Sequence, residues 1–224
     1  MTRKTMALTG PATRSLTGIL AVSAAIALLG LGTLGCSQKP GLRIREAAPP
    51  GAPPPEAAIV KTAALLPLLN RTEFKEAPII VGKALVDAIS ARAPFALIRP
   101  EEVPGRIAPL YELGVVPRFI SDVDEGARTS PEVARLVGQG LKADAVMVAN
   151  VTFFQQYVDH LPDGKPGEAY VTIVGGEIHL IDAKTGTALW SAAKVRKDRA
   201  ALGFPSLEGT AQALAADLVA TLPD

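Results

Sequence analysis

Two histidines are the only imidazoles in the chain, and each has carboxylates close by. His160 stands between Asp159 and Asp163 in a polar stretch, where an imidazole and a carboxylate can form a general base or half of a metal site. His179 lies two places after Glu177, so the pair projects from one face of a strand. Neither histidine has a His-x-x-x-His partner, and both read as solvated residues of a loop and a strand face. Ser–His–Asp catalysis on an α/β scaffold needs a Gly-x-Ser-x-Gly elbow, and the sequence has none. Gly82-Lys83 is no phosphate loop, because Ala77 stands where the first glycine belongs and Ala84 replaces Ser or Thr; it reads as helix interior. The run Asp122–Gly126 has calcium-loop spacing, yet Val133 occupies the place of the bidentate glutamate. Asn70-Arg71-Thr72 and Asn150-Val151-Thr152 spell glycosylation sequons, the second inside a strand, and both read as incidental. The expectation is a chain with no catalytic, cofactor-binding or metal site, and so not an enzyme; the rival is a hydrolase or metal-dependent enzyme using His160.

The elements that would carry these residues are organised around Lys142–Tyr157. Its apolar run Ala145–Phe154 is broken only by Asn150 and Thr152, the pattern of a strand covered on both faces. Val60–Leu69 reads as a first buried strand ended by a turn at Asn70–Thr72. A helix with Pro78 at its first position follows, with Ile79, Leu85, Val86 and Ile89 as its stripe, and then a short strand Phe95–Arg99. Strand, helix and strand in that order suggest a βαβ unit. Pro100–Arg128 carries Pro104, Pro109 and Pro117, which predict a short helix followed by an irregular loop. Ser130 caps a helix whose stripe is Val133, Leu136, Val137 and Leu141, leading into the central strand. Asp159–Gly167 turns the chain back into Tyr170–Asp182. There Val171 and Ile173 fall out of phase with Ile178 and Leu180 unless Gly175-Gly176 forms a bulge. A hairpin at Asp182–Gly186 leads to a strand Thr187–Arg196 with a basic, exposed end. Ser206 then caps a last helix with the stripe Leu207, Ala211, Leu214 and Leu218. The fold expected is α/β (α+β), a mixed sheet of about five strands flanked by helices, as one domain over residues 59–224.

The 224 residues carry a net charge of +1 and 4% aromatics, which offers neither the basic footprint nor the stacking platform of a nucleic-acid binder. Arg3, Lys4 and Arg14 are the only charges before Cys36, and without them 20 basic residues face 22 acidic ones. They precede the uncharged, largely apolar Ser15–Gly35, the composition of an export signal over residues 1–35. Residues 36–58 hold Pro40, Pro49, Pro50, Pro53, Pro54 and Pro55, a polyproline-rich tether that spans on the order of 60 Å when extended.

Thr33-Leu34-Gly35-Cys36 resembles the lipobox of bacterial lipoproteins, in which the cysteine becomes the first residue and is diacylated. Cys36 is the only cysteine. The resemblance implies attachment to the membrane through lipid on Cys36. Ser37 and Gln38 in place of an aspartate imply the outer membrane, with the domain facing the periplasm. Ala63–Thr72, Lys142–Thr152 and Leu180–Ser191 resemble the α/β domain shared by the curli-secretion channel subunit, the penicillin-binding-protein activator lipoprotein and the amino-terminal domain of the Tol translocation protein. That likeness implies a non-catalytic adaptor or regulator of envelope machinery with envelope proteins as partners and no nucleic acid. The alternative it implies is a homo-oligomeric subunit or accessory of an outer-membrane secretion assembly. Contact surfaces are expected in the loops Phe74–Pro78, Val103–Thr129 and Asp159–Gly167, because binding residues tend to sit on loops held by a rigid scaffold.

Overall fold

The computed structural model describes residues 60–160 and 168–223. The leader, Cys36, the tether and Asp163 lie outside them. Val60–Leu69 makes two short strands rather than one, β1 (Thr62–Leu65) and β2 (Leu69–Asn70). Pro67 stands in the gap, where it has no amide proton to give to a ladder. α1 (Ala77–Arg92) starts with Pro78 in its first turn, and its buried stripe is Val81, Leu85, Val86 and Ile89. Ile79 is off that stripe and 73% exposed.

After β3 (Ala96–Ile98), the proline-rich segment folds into two helices, α2 (Val103–Glu112) and α3 (Val115–Gly126). The expected irregular loop is absent for a local reason. Pro104 and Pro117 fall in first turns, where no intrahelical amide bond is lost, and Gly114 at φ 72 separates the helices. Only Pro109 lies inside a helix, and α2 bends at Ile107. The acidic run Asp122–Gly126 is the last turn of α3, so it is not a calcium loop. α4 (Pro131–Leu141) is capped by Ser130, whose hydroxyl oxygen accepts from the Val133 amide, and Leu136 is exposed rather than part of the stripe.

β4 (Ala145–His160), β5 (Glu168–Asp182) and β6 (Ala188–Ala200) are long antiparallel strands, and α5 (Leu207–Val219), capped by Ser206, ends the fold. The sheet runs β3-β1-β4-β5-β6, with β2 also beside β4. β1 pairs parallel with β3 and β4, which confirms the βαβ unit, and β4, β5 and β6 are antiparallel. On one face Leu65, Met147, Ala149, Ile178 and Leu180 pack with α1 and α5. On the other, Ala64, Leu66, Val146, Val148 and Ile181 pack with α2, α3 and α4. Leu214 and Leu218 of α5 are buried, each contributing about 1.5–3 kcal/mol by removal from water. No described helix is long and apolar enough to cross a membrane.

The bulge sits on the other strand from the one expected. Val151 pairs with Gly176 and Phe153 with Gly175, so the extra residue is Thr152 of β4. β5 therefore alternates without a slip. Val174, Ile178 and Leu180 face α1 and α5, while Val171 and Ile173 point to the opposite side, with His179 and Ile181.

Candidate functional site

The apolar contacts of α2, α3 and α4 on their face of the sheet reach Val148 and Ile181, and α3 extends one row further through Asp124. Beyond that line β4, β5 and β6 continue as an arm on which no described helix packs from this side; Phe153 and Val195 are half-exposed there, whereas Val171 is fully buried. Strand register sorts its side chains into rows that run from the helices outward.

The first rows are polar. Val148, His179 and Ser191 lie side by side, and then Asn150, Glu177 and Ala193. His179 is 7% exposed, with Nδ1 at 2.8 Å from Ser191 Oγ and Nε2 at 2.8 Å from Glu177 Oε1. An ionised carboxylate only accepts, so Nε2 carries the proton, and in the neutral ring Nδ1 accepts from the serine hydroxyl. The His179 hydrogen bond holds the Glu177 carboxyl below its ordinary range against burial, which pushes it up; Arg71 also lowers it and Asp124 raises it. Asn150, 2% exposed, donates from Nδ2 to Asp124 Oδ1 at 2.6 Å, and Arg71 bonds the same oxygen. Asn150 Oδ1 is buried without a hydrogen-bond partner among the described residues.

The next row is apolar and open. Gly175 lies between Phe153 and Val195. With no side chain at Gly175 the Phe153 ring lies across it; an added Cβ there would stand 2.8 Å from the ring. Phe153 is 48% and Val195 52% exposed. Gln155, Ile173 and Lys197 follow, and then Tyr157, Val171 and Arg199. Lys197 Nζ stands 5.5 Å from the Tyr157 ring centre, and Arg199 bonds Asp159 at 3.0 Å. At the β4 margin a cleft of about 210 Å³ opens between Arg71–Phe74 and Thr152–Gln155. The tilted contact of Phe74 with Phe154, at 5.9 Å, forms part of its wall. The result is an apolar strip with a rim of paired charges.

The residues singled out by sequence fall in different places. His160 is exposed at the end of β4, and its neighbour Asp159 pairs with Arg199 and Lys197 instead. Gly82-Lys83 lies within α1, with Lys83 paired to Asp87. Asp122 accepts from Thr129. His179 is not solvated, as its place on a polar strand face suggested, but buried and bonded on both sides. Of the expected contact loops, Phe74 borders the cleft, Val103–Thr129 is mostly helix, and residues 161–167 lie outside the described ones. The basic end of β6 is an edge strand, as expected, but its charges are neutralised: Lys194 and Arg196 by Asp217, and Arg199 by Asp159. Sequence reading missed the Phe153–Val195 row, whose signal is a double glycine opposite the polar break in the central run. Among the described residues no group of three His, Cys, Asp or Glu side chains is placed to hold a metal ion.

No family model matches the chain, and no curated protein sequence matches it. Among solved structures it is similar to lipoprotein GNA1162 from Neisseria meningitidis, at 18% identity and TM-score 0.46 over 71% of this chain and 98% of that one. It is also similar to the PelC dodecamer from Paraburkholderia phytofirmans, at 18% identity and TM-score 0.41 over 71% and 84%. A third is the LpoB C-terminal domain from Escherichia coli, at 13% identity and TM-score 0.35 over 60% and 81%. These likenesses carry no functional residue across.

Proposed function

We propose that this chain is a lipid-anchored bacterial envelope protein whose α/β domain acts by binding another envelope protein, as an adaptor or regulator, and not by catalysis. The anchor is Cys36, at the end of an apolar leader; the Pro-rich tether lets the domain work away from the leaflet, which is the outer membrane facing the periplasm. The observation that carries the binding reading is the open row Phe153–Gly175–Val195 on a three-stranded arm. Apolar centres with aromatic residues, rimmed by arginine and other polar side chains, are the anatomy of protein interfaces. Phe153 and Val195 supply the centre, and Gln155, Tyr157, Lys197 and Arg199 the rim.

The test is recovery of partners by the full-length chain from cells after crosslinking. Val195→Glu places a charge at the centre of the strip on an exposed strand position, where the fold tolerates it. The expected result is at least about a tenfold loss of the captured envelope protein, since truncating or charging a central contact costs 2 kcal/mol or more. Undiminished capture removes this face from the account.

A further inference from the structure

We infer that the free edge of β4, Thr152–His160, pairs antiparallel with the same edge of a second copy of this chain, about a two-fold axis at Gln156. The inference goes beyond the partner-binding face and uses a different surface, the margin of the sheet instead of its open side.

The edge exists because the strands that flank β4 stop early. β1 pairs with Ala145–Met147 and β2 with Asn150–Val151, and the last bond on that side runs from the Arg71 amide to the Val151 carbonyl at 3.0 Å. From Thr152 to His160 no described strand pairs with β4 on that side, while β5 holds the other. Half of the backbone amides and carbonyls along this stretch therefore point away from the sheet at strand spacing. The chemical complement of such a row is another strand.

Edge strands are ordinarily blunted by lysine, proline or bulges. β6, the opposite margin, carries Lys194, Arg196, Lys197, Asp198 and Arg199 in a short space. β4 carries no lysine, arginine or proline between Thr152 and His160, and its one carboxylate, Asp159, is already bonded to Arg199. Its bulge at Thr152 lies at the start of the free stretch, leaving the rest regular.

The occupant follows from self-complementarity. A two-fold axis at Gln156 sets Gln156 against itself, Gln155 against Tyr157, Phe154 against Val158 and Phe153 against Asp159. No like charges meet. Opposed residues share a face, as an antiparallel pair requires, and Val158, 46% exposed, gains the Phe154–Phe74 wall of the cleft as its cover. An isologous contact of this kind closes on itself. It joins the two arms into one continuous sheet and places the two Phe153–Val195 strips on the same side.

The test uses the full chain extracted in detergent. Light scattering gives the mass of the protein part, and Gln156→Cys is oxidised with a copper catalyst. The expected results are a dimeric mass at micromolar concentration and a covalent dimer from Gln156→Cys. The unsubstituted chain, whose only cysteine is Cys36, and Lys194→Cys on the opposite margin give none. Val158→Lys, which sets a lysine beside the edge, weakens self-association by at least about tenfold. A monomeric mass overturns the inference, as does equal crosslinking from positions 156 and 194, or a Val158→Lys dimer as tight as its parent. The partner-binding face is judged apart from this, by Val195→Glu on β6.

Discussion

His179 shows what a single buried polar group does in this fold. Its ring nitrogens meet Glu177 and Ser191 at 2.8 Å each, which ties β5 to β6 just beyond the helices. Leaving such groups unpaired costs more than the bonds contribute, so His179→Ala lowers stability at neutral pH by about 1–3 kcal/mol. The pH profile carries a second signature. Glu177 ionises below its ordinary range in the folded state, chiefly through His179. Its ionised form therefore stabilises the fold above the unfolded-state value, and that contribution is lost as pH falls through the folded value. In His179→Ala the Glu177 carboxyl loses the main cause of its depression, so its share of the acid loss of stability shrinks and the profile is flatter across the carboxylate range; urea midpoints measured across the acid range read this directly, and a profile parallel to the parent's contradicts it. The sequence shows Glu177 and His179 sharing a strand face, but not their burial. Period two assigns a face and cannot say how far the helices extend over it. Asn150 was visible as a polar break in an apolar run, whereas its partner Asp124 comes from a helix far away in sequence.

Elements were legible where local chemistry is unambiguous. Ser130 and Ser206 cap their helices, and Gly186 takes φ 74 at the turn before β6, each as the residue type suggests. The prolines of Pro100–Arg128 misled because their effect depends on position within a turn, and helix starts must be known before they can be placed. The β5 glycines misled in another way: they mark close approach by a neighbour, not an extra residue of their own. Gly175 makes room for the Phe153 ring, and an added Cβ would also stand 2.8 Å from Thr152 Oγ1. Gly175→Ala accordingly displaces Phe153 and costs about 1–3 kcal/mol, read as a lower thermal midpoint and reduced partner capture together. An unchanged midpoint with unchanged capture contradicts the packing described for this row.

At the scale of the whole molecule the proposed organisation is a leader, a tether and a domain, each with one physical task. The lipid proposed on Cys36 would hold the protein by transfer of acyl chains at about 0.8 kcal/mol per methylene, independently of the fold. Cys36→Ala therefore moves the chain from the membrane fraction to the soluble fraction while leaving the domain's thermal midpoint unchanged; retention in the membrane contradicts the anchor. The proposed tether supplies reach, while the described domain presents a sheet face that its helices cover only in part. The central claim is that this open face contacts another envelope protein. In-cell photocrosslinking tests it most directly, with a benzophenone amino acid at position 195 of the full-length chain and, as comparison, at the exposed Ile79 of α1. The expected result is a discrete adduct with a different envelope protein from position 195 and none from position 79. No adduct from position 195, or the same adducts from both, contradicts it.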